Sequence, residues 1–190
     1  MKLKAIFVKY LLGISVILLI FIAGCAKNVN ISSSAVQQGQ SAIGDIPVGN
    51  SKDFRAPDFI VTTTEGNTIK LSEITAQNKP VLVYFMATWC PYCTQDLAVV
   101  DRVYPKYKDQ VEFIAIDLDL TENAQILSQY KTSRNHDFIF APGYPEVLTD
   151  YGIRGTTAKF AVSREGIILY SGYGVLNDEQ WETIFRGLTA

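Results

Sequence analysis

A chain of 190 residues has room for one ordinary core plus terminal material, and not comfortably for two domains. Much of its 48% hydrophobic content falls in the first two dozen residues, so that stretch is read apart from the rest. Setting residues 1–24 aside removes three Lys and no acid from seventeen basic and nineteen acidic residues, and the remaining net charge of −5 excludes nucleic acid as a partner.

Lys2, Lys4 and Lys9 precede an uncharged, mostly aliphatic run from Tyr10 to Ile22 that closes on Ala23 and Gly24, the layout of an export signal. The run is shorter than the ~20 residues a transmembrane helix needs, and the small residues at its end suit a peptidase. The tetrad Ile22-Ala23-Gly24-Cys25 resembles the bacterial lipoprotein lipobox. That resemblance implies a signal over 1–24 and a Cys25 acylated through its sulfur as the new N-terminus. An uncleaved signal anchor is the alternative, and either would hold the protein outside the cytoplasm. Each buried acyl methylene contributes about 0.8 kcal/mol, and stable anchoring takes more than one chain. Residues 25–54 are rich in Ser, Gln, Asn and Gly without sustained periodicity, which predicts a flexible tether.

The folded domain is expected over 55–190. Alternation in Phe59-Ile60-Val61-Thr62-Thr63, the turn signal Glu65-Gly66-Asn67 and the apolar Ile69 and Leu71 predict a β-hairpin, with a short helix starting near Ser72. Val81 to Met86 is a continuous apolar run, typical of a strand buried on both faces. Leu97, Val100, Val103, Tyr104 and Tyr107 then follow helical spacing, and Val111 to Ile116 is a second apolar strand that ends in Asp117. Residues 121–132 predict a helix, Phe138-Ile139-Phe140 an extended piece, and Pro145 to Tyr151 a short helix. Phe160–Val162 and Ile167–Tyr173 predict a second hairpin around Arg164-Glu165-Gly166, and Asn177 caps an amphipathic helix to Leu188. This order implies an α/β fold, a central mixed β-sheet with helices on both faces and an N-terminal β-hairpin extension.

Of three cysteines, one is Cys25 and the others form the single pair Cys90-Pro91-Tyr92-Cys93, placed where a buried strand turns into a helix. A pair this close closes too small a loop to add much chain-entropy stabilisation, so a reactive purpose fits better than a structural one. An exposed thiol at a helix N-terminus has its anion stabilised by unpaired backbone N–H groups and the helix dipole. Cys90 holds that place as the attacking thiol, and Cys93, almost one turn later, is placed to resolve the mixed disulfide. Pro91 falls near the first helical position, where its missing N–H costs nothing. Zinc would need about four ligands, and beyond the pair there is only His136, which reads as a solvated loop residue.

Ala56-Pro57-Asp58-Phe59, the strand into Ala87-Thr88-Trp89-Cys90-x-x-Cys93, Asp117, and Tyr151-Gly152-Ile153-Arg154-Gly155 before a hairpin together resemble TlpA/ResA-type membrane-anchored thioredoxin-like proteins. The resemblance covers nearly everything from residue 55 onward and implies a thioredoxin-like fold. It implies that Trp89 shields the reactive sulfur and that the acid three positions after Cys93 handles protons. That acid is Asp96 here in place of the family's usual Glu, and an ordinary exposed helix carboxylate is the alternative reading. Where the family has a Pro, usually cis, in the loop that faces the thiols and docks substrate, this chain has Thr157, following Thr156. A cis bond there would cost roughly 2.5–4 kcal/mol, so the segment is expected either trans and differently shaped or strained. Tyr84 stands where many thioredoxins carry a buried acid, which closes that proton route to Cys93. Pro91-Tyr92 matches the glutaredoxin motif more than that of thioredoxin, which implies a potential less reducing than thioredoxin's at about −270 mV.

The expected function is an extracytoplasmic thiol-disulfide oxidoreductase that reduces disulfides in exported proteins, apocytochrome c among the possible clients. Its electron donor by family analogy is a CcdA/DsbD-type membrane thiol transporter, and the redox-active pair itself takes the place of any cofactor. Three alternatives stand beside it. A copper-binding or delivery module fits the extracytoplasmic thiols, although the comparable copper chaperones have C-x-x-x-C. A peroxidase fits less well, since Ala87 occupies the position three before Cys90. A non-catalytic lipoprotein does not explain the intact pair.

Overall fold

The computed structural model describes residues 46–190. The export signal, Cys25 and the tether as far as residue 45 lie outside the described residues. No helix among the described residues is long and apolar enough to cross a membrane.

The element order is β1 (Ile60–Thr62), β2 (Thr68–Lys70), α1 (Leu71–Ala76), β3 (Val81–Met86), α2 (Pro91–Val103), β4 (Glu112–Asp117), α3 (Ala124–Arg134), β5 (Ile139–Pro142), α4 (Pro145–Asp150), β6 (Ala158–Val162), β7 (Ile168–Gly172) and α5 (Asp178–Thr189). Five strands form one mixed sheet in the order β5-β4-β3-β6-β7, while β1 and β2 form a separate hairpin. β3 lies at the centre, parallel to β4 and antiparallel to β6, which is why its six residues are all apolar or aromatic and all buried.

Side chains alternate across a strand, so β3 feeds two cores. Leu82, Tyr84 and Met86 join Leu97 and Val100 of α2, Leu127 of α3, and Trp181 and Phe185 of α5. Val81, Val83 and Phe85 join Val61 of β1, Leu71 of α1 and Val147 of α4 on the opposite face. Helices therefore cover both faces, and the hairpin extension is present, as the sequence implies. The β1–β2 turn uses Gly66 at φ 84°, a conformation that favours glycine.

The predicted elements recur with shifted ends. Asn123 accepts from the Gln125 and Ile126 amides, so α3 starts at residue 124 and not at 121. Asn177 caps α5 as expected and completes a reciprocal capping box with Gln180. Ordered chain begins earlier than residue 55. Asp53 and Phe54 exchange backbone hydrogen bonds with Ile168 of β7, and Arg55 bridges to Val48. Composition alone misses this because the bonds are made by backbone.

His136 is a correction. It is buried, with Nδ1 2.9 Å from Asp101 Oδ1 and its ring stacked on Phe140 and tilted against Phe138 and Tyr130. An imidazole packed among three aromatic rings removes more apolar surface from water than a solvated loop allows, and Asp101 on α2 satisfies one ring nitrogen.

Candidate functional site

β3 ends at Met86, and Ala87, Thr88 and Trp89 turn the chain into α2. The turn closes with the Cys90 amide donating to the Ala87 carbonyl at 3.1 Å. Cys90 is the N-cap, in extended conformation at φ −82° and ψ 111°, and Pro91 opens the helix. The Cys93 amide donates to Cys90 Sγ at 3.0 Å, so one of the orphan donors of the helix start is aimed at that sulfur. Cys90 and Cys93 are joined as a disulfide, their Cα atoms 5.3 Å apart.

Cys90 keeps 2% of its accessible surface and Cys93 none, while the flanking Trp89 and Tyr92 stand 62% and 64% exposed. The expected exposed thiol is thus not what the oxidised domain displays. In the disulfide, the surface at the helix start belongs to the flanking Trp89 and Tyr92.

Both residues before Cys90 are held from the segment that follows β4. The Trp89 indole N–H donates to Asp119 Oδ2 at 2.8 Å. The Thr88 amide donates to Glu122 Oε2 at 2.9 Å and its hydroxyl to Glu122 Oε1, which commits that hydroxyl away from Cys90. Next to them, Asp117 ends β4 fully buried. Oδ1 accepts from the Asp119 amide at 3.0 Å, while Oδ2 has no partner among the described residues. Burial first, then the nearby Glu122 carboxylate, push its carboxyl up to about 7 against the pull of that amide.

Asp96 is not an exposed helix carboxylate; it is fully buried. Its place follows from spacing, because Cys93, Asp96, Leu97, Val100 and Val103 share the inward face of α2. Oδ1 accepts from the Leu176 amide at 2.9 Å and the Trp181 indole at 2.8 Å. Oδ2 accepts from the Tyr84 hydroxyl at 3.1 Å and pairs with Lys159 Nζ at 2.9 Å. Lys159 is itself fully buried, donates also to the Gly174 carbonyl, and lies 5.4 Å from the ring centroids of both Tyr84 and Trp181. Burial holds its ammonium below the ordinary value, opposed by Asp96. Burial and then Asp96 raise the Tyr84 hydroxyl well above the ordinary phenol range, so it is a neutral donor. Sequence reasoning missed Lys159. Its signal was a lone charge inside the apolar strand Ala-Lys-Phe-Ala-Val, which a buried sheet tolerates only with a partner.

Thr157 immediately precedes β6, whose Ala158 pairs with Phe85 near the end of β3, and so lies at the same end of the sheet as the cysteines. No cis peptide bond occurs among the described residues, and Thr157 sits at φ 65°. That is a strained conformation for a β-branched residue. Its amide donates to the Phe85 carbonyl at 2.9 Å, its hydroxyl donates to the Thr156 carbonyl at 2.6 Å and accepts from the Gly174 amide at 2.9 Å. Three bonds therefore hold the strained residue in place, and Thr156 contributes one acceptor. Among the described residues no three His, Cys, Asp or Glu side chains are grouped to hold a metal ion.

The model of the AhpC/TSA family matches residues 53–171. The thiol-disulfide oxidoreductase ResA of Bacillus thuringiensis subsp. konkukian (strain 97-27) is 31% identical over 140 residues, covering 70% of this chain and 76% of its own length. The thioredoxin-like protein YneN of Bacillus subtilis (strain 168) is 23% identical over 136 residues, covering 71% and 79%. Among solved structures, StoA from Bacillus subtilis superposes with a TM-score of 0.58 at 22% identity, over 70% of this chain and 98% of that one. A thiol:disulfide interchange protein from Chlorobium tepidum TLS gives 0.65 at 18% identity, over 75% and 100%. At those identities the two structures establish the thioredoxin-like fold.

Proposed function

We propose the function from one premise: this chain belongs to the AhpC/TSA family and is related within it to the ResA-type thiol-disulfide oxidoreductases. It is a thiol-disulfide oxidoreductase in which Cys90 attacks and Cys93 resolves. The observation that carries the assignment of roles is the Cys93 amide directed at Cys90 Sγ at the N-terminus of a 13-residue helix. Once the disulfide is reduced, that N–H and the helix dipole favour the Cys90 thiolate, whereas Cys93 lies inside the first turn without such a donor.

Cys90 thiolate attacks one sulfur of a client disulfide, forming a mixed disulfide and releasing the other client sulfur as a thiolate. Cys93 then attacks Cys90 Sγ, the second client sulfur leaves, and the pair is left oxidised while the client has gained two electrons and two protons. Since oxidised Cys90 offers almost no surface, rereduction by a donor thiol requires the surface over Cys90 Sγ to open. The export-signal pattern and the lipobox-like tetrad support a membrane-anchored, extracytoplasmic setting with Cys25 as the acylated residue and the polar stretch after it as tether. Clients are then exported proteins, apocytochrome c among them, and the donor is a CcdA/DsbD-type membrane thiol transporter.

Reduction of insulin by the protein should be lost in Cys90→Ser, and Cys93→Ser should accumulate mixed disulfides in membranes that identify the clients. Retained insulin reduction in Cys90→Ser refutes the assignment. The Pro91-Tyr92 dipeptide leads to a midpoint above that of thioredoxin, about −270 mV. Redox titration read by thiol trapping checks it, and a midpoint well below that value rejects it.

A further inference from the structure

Two loops meet at the cysteine end of the sheet, and one strained residue joins them. The first runs from α4 to Thr157, whose amide bonds to the Phe85 carbonyl of β3. The second follows β7. Gly172, the last residue of β7, pairs with Lys159, the second of β6, which brings Tyr173 and Gly174 to the level of Thr157. Farther along the second loop the Leu176 amide reaches Asp96, one turn after Cys93. Thr157 Oγ1 accepts from the Gly174 amide at 2.9 Å while donating to the Thr156 carbonyl at 2.6 Å, and Lys159 Nζ holds the Gly174 carbonyl. On the outer side the Tyr173 hydroxyl accepts from the Arg154 amide at 3.4 Å and donates to the Gly152 carbonyl at 3.5 Å.

A β-branched residue at φ 65° persists only where its surroundings over-determine it, and such strain clusters at functional sites. What the strain secures here is the place of Tyr173. Among the described residues the exposed aromatic side chains are Phe54, Trp89, Tyr92 and Tyr173. Phe54 lies at the far end of the sheet, bonded to the first residue of β7, whereas the other three stand at the cysteine end. An aromatic ring fixed in water beside a reactive pair gives up little conformational entropy when an apolar side chain closes on it. We propose that Tyr173 determines client specificity by contacting an aliphatic or aromatic side chain next to the client's disulfide, with Thr157 as the positioning residue that fixes it, a role that rests on the thiol-disulfide reading above. The hydroxyl of Thr157 is the working group, since it alone of the side chain's atoms ties the second loop to the first.

The test uses the full chain in detergent, pre-reduced, and two disulfide-bonded peptides that differ only in Phe or Ser beside the cysteine. Single-turnover oxidation of the protein over a range of peptide concentration separates apparent binding from the rate at saturation. The native protein should bind the Phe peptide at least about fivefold tighter than the Ser peptide, with similar saturating rates. Tyr173→Ala should bring that ratio close to one. Thr157→Val keeps the side-chain shape and removes both hydroxyl bonds, so it should lower the ratio by about half or more, while Thr157→Ser should keep it. A ratio near one in the native protein, or a native ratio in Tyr173→Ala, overturns the role given to Tyr173. A native ratio in a folded Thr157→Val protein, even one with a lowered Tm, leaves the hydroxyl a stabilising group only and overturns its positioning role. Thr157→Gly, which removes the hydroxyl and relieves the strain, decides the same point if the valine variant does not fold. Failure of the thiol-exchange reading would show separately, as peptide reduction that survives Cys90→Ser.

Discussion

Replacing Asp117 with Asn should change how stability depends on pH. Asp117 is fully buried with Oδ2 unpartnered, and its carboxyl is raised from 3.8 to about 7 by burial and then by Glu122. Between those values the folded protein holds a proton that the unfolded chain has released, so stability falls as pH rises through the window. Below about 4 the residue is protonated in both states, and above about 7 it is ionised in both, so the loss ends there. At about 1.4 kcal/mol per pKa unit the limit is about 4 kcal/mol. Solvent reaching the half-buried Glu122 beside it screens part of this effect, which lowers the expected figure to about 2–4 kcal/mol. Denaturant unfolding of the oxidised protein and of Asp117→Asn at several pH values isolates this effect, because the other carboxylates cancel in the difference. The variant should gain on the native protein by that amount between about pH 4 and about pH 8. Parallel stability curves across the range would refute the burial argument.

Restoring the family's proline as Thr157→Pro should destabilise the domain by about 3 kcal/mol or more. Proline cannot take φ 65° and lacks the N–H that Thr157 gives Phe85; unchanged unfolding would contradict that. In the reduced protein Cys90 should alkylate at least about tenfold faster than Cys93 at neutral pH, measured by peptide mapping after iodoacetamide, and equal rates would count against the helix-terminus argument. Asn177→Ala breaks the capping box and should cost about 1 kcal/mol, read as a fall in Tm of about 3 °C. A Tm unchanged within error would show that the cap is redundant.

The elements of the fold were legible because each carries a periodic or capping signature. A fully apolar six-residue run marks the central strand, and Asn177 three residues before Gln180 marks a helix start. The reactive pair was legible from its place between that strand and the next helix. Asp96 was misread although its spacing with Cys93, Leu97 and Val100 already put it on the buried face, since a lone acid reads as solvated until its partner is known. That partner, Lys159, lies on a strand that follows α4 and reaches α2 only through the sheet order. His136 escaped for the same reason, its aspartate lying a strand and a helix earlier. Thr157 in the place of the family's proline pointed to a trans or strained segment but not to its positive φ, because β-branched residues normally avoid φ above zero.

The short stretch from Asp53 to Ala56 lies along the outer side of β7, and the Thr64 amide caps Phe140 on β5 at the other margin. Both flanks of the five-stranded sheet are thus partly closed by the chain that enters it. A bare row of amides at either edge would invite strand-to-strand growth between copies of the protein. Trimming the entry segment back to Pro57 would open one of those rows, so a shortened version for study is better started ahead of Pro47.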